Sequence, residues 1–335
     1  MGRGRRSSGP PGGACRRDPG GADRAACCAS KKVSGRIPVI DAPDALAYFQ
    51  RMTARLDSRL QADVRALFDL MHGELAASAL RSRAAEFAPY IGAGKLLRAR
   101  LTLRVGAANG VVPRVRRASA AAVEMIHAAS LLHDDVIDGG LLRRGLPTFW
   151  KSYSTSGAIL LGDLLLFKAM HLVRATGRMD LVCAFIELAG VVCEAEAEQE
   201  LVRRQKPATW PLAISTARRK TGALFACAAL SAGRTAAEKN ALCEAGYLLG
   251  TAYQIADDIL DGSQNEAHAG KTLGTDRVRG KATAAVRSPA FVRRHAEKLC
   301  RQSTAQLARF PRLAAAWQTY LDIEFLPIVR AQMEA

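Results

Sequence analysis

The chain has 335 residues, a formal net charge of +17, and 49% hydrophobic but only 6% aromatic residues. Its length is enough for a sizeable core in one large domain or two smaller ones. No internal apolar run reaches the roughly 18 residues of a transmembrane helix, so we predict no transmembrane segment. The sequence also lacks a zinc finger, a helix-turn-helix signature and an aromatic-basic pattern. We therefore expect no nucleic-acid partner and assign part of the charge to the binding of anionic substrates.

Residues 1–36 are rich in Gly, Pro and Arg, and they hold nine Lys or Arg against two acidic residues. Because the segment has no apolar periodicity, we predict a disordered basic extension over residues 1–40. It lacks the apolar core of a secretory signal. Its Arg and Ser content weakly resembles an organellar transit peptide, and a start codon assigned too far upstream explains it equally well.

The eight cysteines contain no CxxC pair, and most of them lie in apolar helical stretches. Free cysteines in such surroundings behave as small hydrophobic residues. This usage favours a reducing compartment, and we therefore expect a cytoplasmic protein.

Residues 41–335 are predicted to be helical almost throughout, because they are rich in Ala, Leu, Arg and Glu and poor in Pro and Gly. No alternating strand pattern with turn signals is present. We therefore expect one all-α domain of roughly ten or more helices. Short breaks separate the helices at Gly92–Gly94, Asn109–Pro113, Gly139–Pro147, Gly177, Pro207–Pro211, Gly233 and Gly262–Gly280.

Two acidic pentads of one design, residues 134–138 (DDVID) and 257–261 (DDILD), each end an apolar helical run. The first and last Asp of each pentad are i and i+4, so they share a helix face and repel each other. A cation bound between them would remove that repulsion. Because the donors are all carboxylate oxygens, with no His or Cys, the pattern indicates magnesium rather than zinc. Magnesium held in this way keeps coordination sites for phosphate oxygens, so we expect a diphosphate substrate.

Basic side chains occur at the breaks between the predicted helices, where phosphate contacts can converge. Each of them alone is more often a solvated Lys or Arg at a helix end. Taken together they predict a diphosphate site, and they comprise Lys95, Arg98, Arg143, Arg144, Lys220 (followed by Thr221), Lys271 and Lys281.

Several sequence motifs occur in a characteristic order: EMIHAASLLHDDVID, then RRGLP, LLGDLLL, KTGALF, AYQIADDILD and GKTLGTDRVRGKAT. Over about residues 45–335 the chain resembles the trans-isoprenyl diphosphate synthases, or polyprenyl synthetases. The resemblance implies a single helical bundle around a central cavity, of the isoprenoid synthase type, and a homodimer. It also implies a Mg²⁺-dependent enzyme that condenses isopentenyl diphosphate with an allylic diphosphate to an all-trans polyprenyl diphosphate.

The resemblance assigns roles to the matched positions, and it places catalysis on the pentad aspartates together with Arg143 and Lys220. A trinuclear magnesium site would be held by Asp134, Asp138 and Asp257, with the acidic clusters completed by Asp135, Asp258 and Asp261. The allylic diphosphate would be bound by Arg143, Lys220, Thr221 and Lys271, with Lys281 nearby. Isopentenyl diphosphate would be bound by Lys95, Arg98, His127, Arg144 and Gln254. His127 also fits the pattern of an ordinary core histidine on an apolar helix face.

Product length is expected to depend on the residues upstream of the first pentad. Ala129 and Ser130 are small, and Ile126 and Val123 further upstream are of medium size. By the family pattern, small residues at this point allow products longer than farnesyl, so we expect a medium or long chain first and geranylgeranyl diphosphate second. Small residues would equally allow ordinary close packing between helices.

The chain departs from the usual family pattern at a few positions. Leu96 replaces a common basic residue, which is expected to weaken isopentenyl diphosphate binding. Ala195 replaces a usual Gly, although Glu196 and Gln199 keep the family alignment.

Two alternatives to an elongating enzyme remain. A terpene cyclase or head-to-head condensing enzyme shares the first acidic motif but usually carries a different second motif. A regulatory subunit of a heteromeric synthase would be expected to lose Asp or Arg residues, which this chain has kept.

Overall fold

A computed structural model of the chain describes residues 57–92, 94–202, 207–262 and 283–334. All of these residues belong to one compact unit, Val39–Ala335. The predicted disordered extension over residues 1–40 lies outside the described residues, as do Lys271 and Lys281.

The described residues confirm the predicted all-α fold. In chain order the helices are α1 (Ser58–Ala76), α2 (Ala84–Gly92), α3 (Leu97–Ala108), α4 (Pro113–Asp138), α5 (Phe149–Ser152), α6 (Thr155–Ala175), α7 (Met179–Leu201), α8 (Trp210–Ala217), α9 (Ala223–Leu230), α10 (Ala236–Gly262), α11 (Pro289–Ala305), α12 (Pro311–Tyr320) and α13 (Leu326–Glu334). Short 3₁₀ turns occur at Arg81–Arg83 and Ala284–Val286, and π-helical segments at Arg218–Gly222 and Leu321–Phe325.

Local chemistry explains where several helices begin and end. Asp57 caps α1 by accepting a hydrogen bond from the Leu60 amide, and Ser154 caps α6 in the same way. Pro113 starts α4, where its missing N–H is not needed. Gly139 ends α4 with a φ of 64°, a left-handed conformation that glycine adopts without strain.

The two longest helices, α4 and α10, organise the bundle. Helix α4 packs along α6, α3 and α1, and helix α10 packs along α9, α11 and the π-helical segment Arg218–Gly222. Small residues over 118–122 of α4 are buried, and they let neighbouring helices approach closely. The first acidic pentad forms the last turn of α4, and the second lies at the C-terminal end of α10.

A short hairpin after α4 departs from the predicted helices and loops. Leu142–Arg143 pairs antiparallel with Leu146–Pro147. The two loop residues, Arg144 and Gly145, both have positive φ, at 55° and 77°, which is the geometry of a type I′ turn. Strands of two residues are too short to leave an alternating pattern in the sequence, so this element could not be predicted.

One described helix, α6, is long and apolar enough to cross a membrane, judged by length and composition alone. Its most apolar stretch is 39% buried, and it packs along α4. Core helices of globular proteins pass the same test. The absence of a transmembrane segment therefore stays a prediction.

Helix α10 lies unusually close to its neighbours at two glycines one turn apart. A Cβ atom on Gly250 would lie 2.7 Å from the Gly222 Cα and 2.8 Å from the Thr221 carbonyl oxygen. A Cβ atom on Gly246 would lie 2.6 Å from backbone atoms of Phe225 and Ala226. Both contacts are with backbone, which cannot rotate away. The absence of side chains at these positions therefore sets how closely α10 approaches the segment 218–226.

We predict that Gly250→Ala destabilises the protein by about 1–3 kcal/mol, because the added methyl group overpacks a backbone contact. The free energy of unfolding from urea denaturation checks this. Gly73→Ala is the matched control, since a Cβ there, in the last turn of α1, meets nothing within 4 Å. That control should stabilise by about 0.5–1 kcal/mol through helix propensity. Equal effects of the two substitutions would contradict the packing argument.

Candidate active site

Within the first pentad, Asp135 is bound by an arginine of the following hairpin. Arg143 Nε lies 2.8 Å from Asp135 Oδ1 and 3.0 Å from Oδ2, and its Nη2 lies 2.7 Å from Oδ1. Asp135 is only 5% exposed. Burial raises the pKa of this carboxyl, and the arginine offsets part of that effect. Arg143, on the first strand of the hairpin, is thus held against the end of α4.

Asp134, the first residue of the pentad, faces a lysine instead. Lys220 Nζ lies 3.3 Å from Asp134 Oδ2 and 2.6 Å from Glu196 Oε2 on α7. All three side chains are largely buried, so the attraction is less screened than at an open surface. Asp138 shares a helix face with Asp134, as its i+4 spacing requires. Lys220 therefore occupies part of the space where a cation and a diphosphate are predicted.

The π-helical segment Arg218–Gly222 explains how Lys220 reaches this position. Three consecutive side chains contact three different helices: Arg219 pairs with Glu198 of α7 at 2.6 Å, Lys220 with Asp134 of α4, and Thr221 donates to Gln254 Oε1 of α10 at 2.5 Å. π-Helical turns are rare and occur often at functional sites. This one joins the two helices that carry the acidic pentads.

In the second pentad, the two adjacent aspartates have different surroundings. Asp258 is 6% exposed, and both its oxygens accept hydrogen bonds, from Gln254 Nε2 at 2.8 Å and from the Ala284 amide at 2.7 Å. Asp257 Oδ1 accepts a hydrogen bond from Gln332 Nε2 at 2.8 Å. Asp261 lies in the last turn of α10, and its side chain is outside the described residues. Asp258 thus anchors the chain at Ala284, whereas Asp257 is held by the C-terminal helix.

A second group of predicted residues gathers between α3 and α4. Arg98 is buried, with its guanidinium carbon 4.9 Å from the centre of the Phe225 ring. Arg144 lies over the backbone of Gly94, where a Cβ atom would be 2.8 Å from Nη2. Burial, and then the charges of Arg98, Arg144 and Arg143, hold the pKa of His127 well below its ordinary value. His127 is therefore neutral at pH 7 beside a cluster of arginines.

One atom of this basic cluster indicates a missing ligand. Arg98 Nε is buried and has no hydrogen-bond partner within the described part of the chain. A buried donor without a partner is costly, and a charged one more so. An anion bound beside Arg98 would satisfy it. Lys95, in the loop just before α3, is exposed to solvent.

The residues predicted to set product length lie along α4. Val123 and Ala129 are fully buried, Ile126 nearly so, and Ser130 is partly exposed and donates to the His127 carbonyl oxygen at 2.8 Å. Buried side chains of this kind are also expected wherever helices pack closely. Their role in product length stays a prediction.

The structure brings most of the predicted site residues together, but the side chains that it describes do not form a complete set of metal ligands. Over the described residues, no three His, Cys, Asp or Glu side chains are grouped so that they alone could hold a metal ion. The donor set of Asp134, Asp138 and Asp257 still fits magnesium chemically, since all donors are carboxylate oxygens. Two contacts are not predictable from the sequence: Glu196 keeps the family alignment without a pattern that marks its role, and Gln332 has no recognisable signal.

Comparison with known proteins agrees with the motifs. The family model described as polyprenyl synthetase matches residues 83–308. The chain is 33% identical over 196 residues to the octaprenyl diphosphate synthase of Haemophilus influenzae, covering 57% of this chain and 60% of that protein. It is 35% identical over 204 residues to the geranylgeranyl diphosphate synthase of Mycobacterium tuberculosis, covering 57% of each. The matches thus span about 60% of the length of these curated relatives.

Solved structures agree on the fold. A polyprenyl synthase from Caulobacter crescentus, solved with calcium and isoprenyl diphosphate, superposes with a TM-score of 0.69 at 26% identity. The match covers 84% of this chain and 97% of that one.

We predict that the neutral state of His127 makes stability depend on pH. Because its folded pKa is depressed, the unfolded chain binds a proton first as pH falls below about 6.5, and stability is lost from there down to the folded pKa, at up to about 1.4 kcal/mol per pH unit. His127→Gln should reduce this loss between pH 7 and pH 5.5, measured by urea unfolding. His171→Gln, which removes a half-exposed imidazole, is the control. Parallel pH profiles for wild type and His127→Gln would contradict the assignment.

Proposed function

Because this chain belongs to the polyprenyl synthetase family, we propose that it is a Mg²⁺-dependent prenyltransferase that elongates an allylic diphosphate with isopentenyl diphosphate. The observation that carries the proposal is the π-helical segment 218–222, which places Lys220 and Thr221 between the helices of both acidic pentads. The names of the related synthases support the same activity.

Isopentenyl diphosphate is assigned to the basic cluster between α3 and α4. Arg98 offers a buried donor with no partner among the described residues, and Arg144 lies close by over Gly94. His127, held neutral, can form a hydrogen bond without adding a further charge. Lys95 and Gln254 complete the predicted set. Leu96, which replaces a usual basic residue, is buried and contributes no charge.

The allylic diphosphate is assigned to the space between the pentads. Asp134, Asp138 and Asp257 would hold the magnesium ions, which withdraw charge from the diphosphate as its C–O bond breaks. Lys220 would exchange Asp134 and Glu196 for phosphate oxygens, and Thr221 would donate to the same group. Arg143, already oriented by Asp135, adds positive charge beside them. Lys271 and Lys281 belong to this proposal from the sequence alone.

We propose a medium- or long-chain product, with geranylgeranyl diphosphate as the alternative. The small buried Ala129 beneath the first pentad supports the longer product. The relatives include both an octaprenyl and a geranylgeranyl synthase at similar identity, so their names do not separate the two.

We further propose a homodimer formed through an apolar face of α6 and α7, defined by Leu160, Phe167, Met179 and Ile186. Phe167 is 76% exposed and Leu160 67%, and the other two are more than half exposed. Each pair is spaced i, i+7, so its members share a helix face. Exposed apolar patches of this kind mark interaction surfaces, and a second copy of the chain is the occupant that the family suggests.

The dimer proposal predicts that the purified protein sediments with twice the mass of one chain. The double variant Phe167→Glu/Ile186→Glu should sediment as a monomer, because it would bury charges in the interface. Ile323→Glu is the control, since Ile323 is also exposed but lies away from this face. A wild-type monomer, or a double variant that stays dimeric, would refute the proposal.

The enzymatic proposal is tested by incubating the protein with Mg²⁺, radiolabelled isopentenyl diphosphate and, in turn, dimethylallyl, geranyl, farnesyl and geranylgeranyl diphosphate. We expect elongated products longer than farnesyl, and sizing them distinguishes a long chain from geranylgeranyl. Asp134→Ala should lower the rate at least about a hundredfold with unchanged helical circular dichroism, because it removes transition-state charge stabilisation. Asp69→Ala, on the exposed face of α1, should keep full activity. Absence of product with every primer would favour a regulatory subunit.

A further inference from the structure

Helix α13 contacts the second acidic pentad through the side chain of Gln332. Gln332 of α13 donates from Nε2 to Asp257 Oδ1 at 2.8 Å, across 75 positions of sequence. Gln332 is only 4% exposed, so water does not screen or replace this hydrogen bond easily. Asp257 is the aspartate of this pentad to which metal binding is assigned, and its neighbour Asp258 is already bound through both oxygens.

Helix α13, which carries Gln332, is held at its start by buried contacts with other helices. Just before α13, Glu324 is buried and forms ion pairs with Arg100 and Arg104 of α3. Phe325 is buried against the rings of Phe225 and Tyr253. These contacts tie the start of α13 to α3, α9 and α10. A rigid attachment of this kind is what a side chain needs if it is to set the orientation of another group.

The other end of the Gln332 amide lacks a partner. Its Oε1 atom is buried and accepts no hydrogen bond from the described residues. Buried amide oxygens normally have a donor. Next to a carboxylate assigned to metal binding, a water molecule of a hydrated cation is the kind of donor that could reach this oxygen.

We propose that Gln332 is a positioning residue for Asp257, an inference that rests on the proposed function. By donating to Oδ1, Gln332 restricts rotation of the carboxylate and so fixes the direction in which it faces a divalent cation. Groups that hydrogen-bond to metal ligands commonly change metal affinity 10- to 100-fold, roughly, when they are removed. The C-terminal helix therefore sets cation affinity from outside the two aspartate-rich motifs.

The test replaces Gln332 with methionine, which has a similar shape but no donor. Gln332→Met should raise the Kd for Mn²⁺, measured by calorimetry with inorganic pyrophosphate present, by about tenfold or more. In elongation assays it should raise the KM for Mg²⁺ but not the KM for isopentenyl diphosphate. Gln318→Met is the matched control, because Gln318 makes the same kind of bond to Asp322 at 2.9 Å, exposed and outside the site. It should leave both constants unchanged.

A double-mutant cycle separates positioning from general destabilisation. In an Asp257→Asn background, Gln332→Met should raise the Kd for Mn²⁺ no further, since its target is already gone. If Gln332→Met does not fold, Gln332→Asn, which keeps the amide but shortens its reach, takes its place. A wild-type Kd for Mn²⁺ in the folded variant, or an equal rise in both KM values, overturns the inference. Failure of the wild-type protein to bind Mn²⁺ with pyrophosphate, or to elongate, would instead refute the proposed function.

Discussion

Negative charge concentrated at the C-terminal ends of two long helices is the constraint on which this site depends. The last turns of α4 and α10 carry the acidic pentads, and the helix dipole already makes these ends negative. Aspartates there repel one another and the helix carbonyls. The protein compensates for this charge with cationic and hydrogen-bonding groups. Gln254 comes from α10 itself, and Arg143, Lys220, Gln332 and the Ala284 amide come from other elements.

The compensating contacts are arranged in a similar way in the two pentads. The second aspartate of each is buried and accepts hydrogen bonds at both oxygens: Asp135 from Arg143, and Asp258 from Gln254 and the Ala284 amide. The first aspartate of each, Asp134 or Asp257, is more accessible, and it contacts Lys220 or the Gln332 amide. The two similar motifs thus each contain a buried anchoring position and a more accessible position, the one to which we assign metal binding. The division gives a structural reason to separate metal ligands from the remaining acidic residues.

The sequence alone was sufficient to predict the features that depend on local residue patterns. Helix periodicity, proline starts and glycine ends gave the all-α fold and the helix breaks, and the i, i+4 aspartates gave the charged faces. The hairpin at 142–147, the π-helical segment and the contacts of Glu196 and Gln332 could not be predicted. Each depends on packing between distant segments, as with the 75 positions that separate Gln332 from Asp257. No local pattern marks a π-helical turn, because its residues also suit an α-helix.

The π-helical segment combines the close packing of α10 with the contacts that offset the charge of the acidic pentads. Its widened turn directs Arg219, Lys220 and Thr221 to three helices, and its poorer backbone geometry is offset by those contacts. Gly222 and Gly250 make the arrangement possible by letting α10 approach the turn. In the proposed function, a diphosphate with its cations replaces the Lys220 contacts to Asp134 and Glu196. The residues that join the two pentad helices in the structure are therefore the ones to which we assign substrate binding.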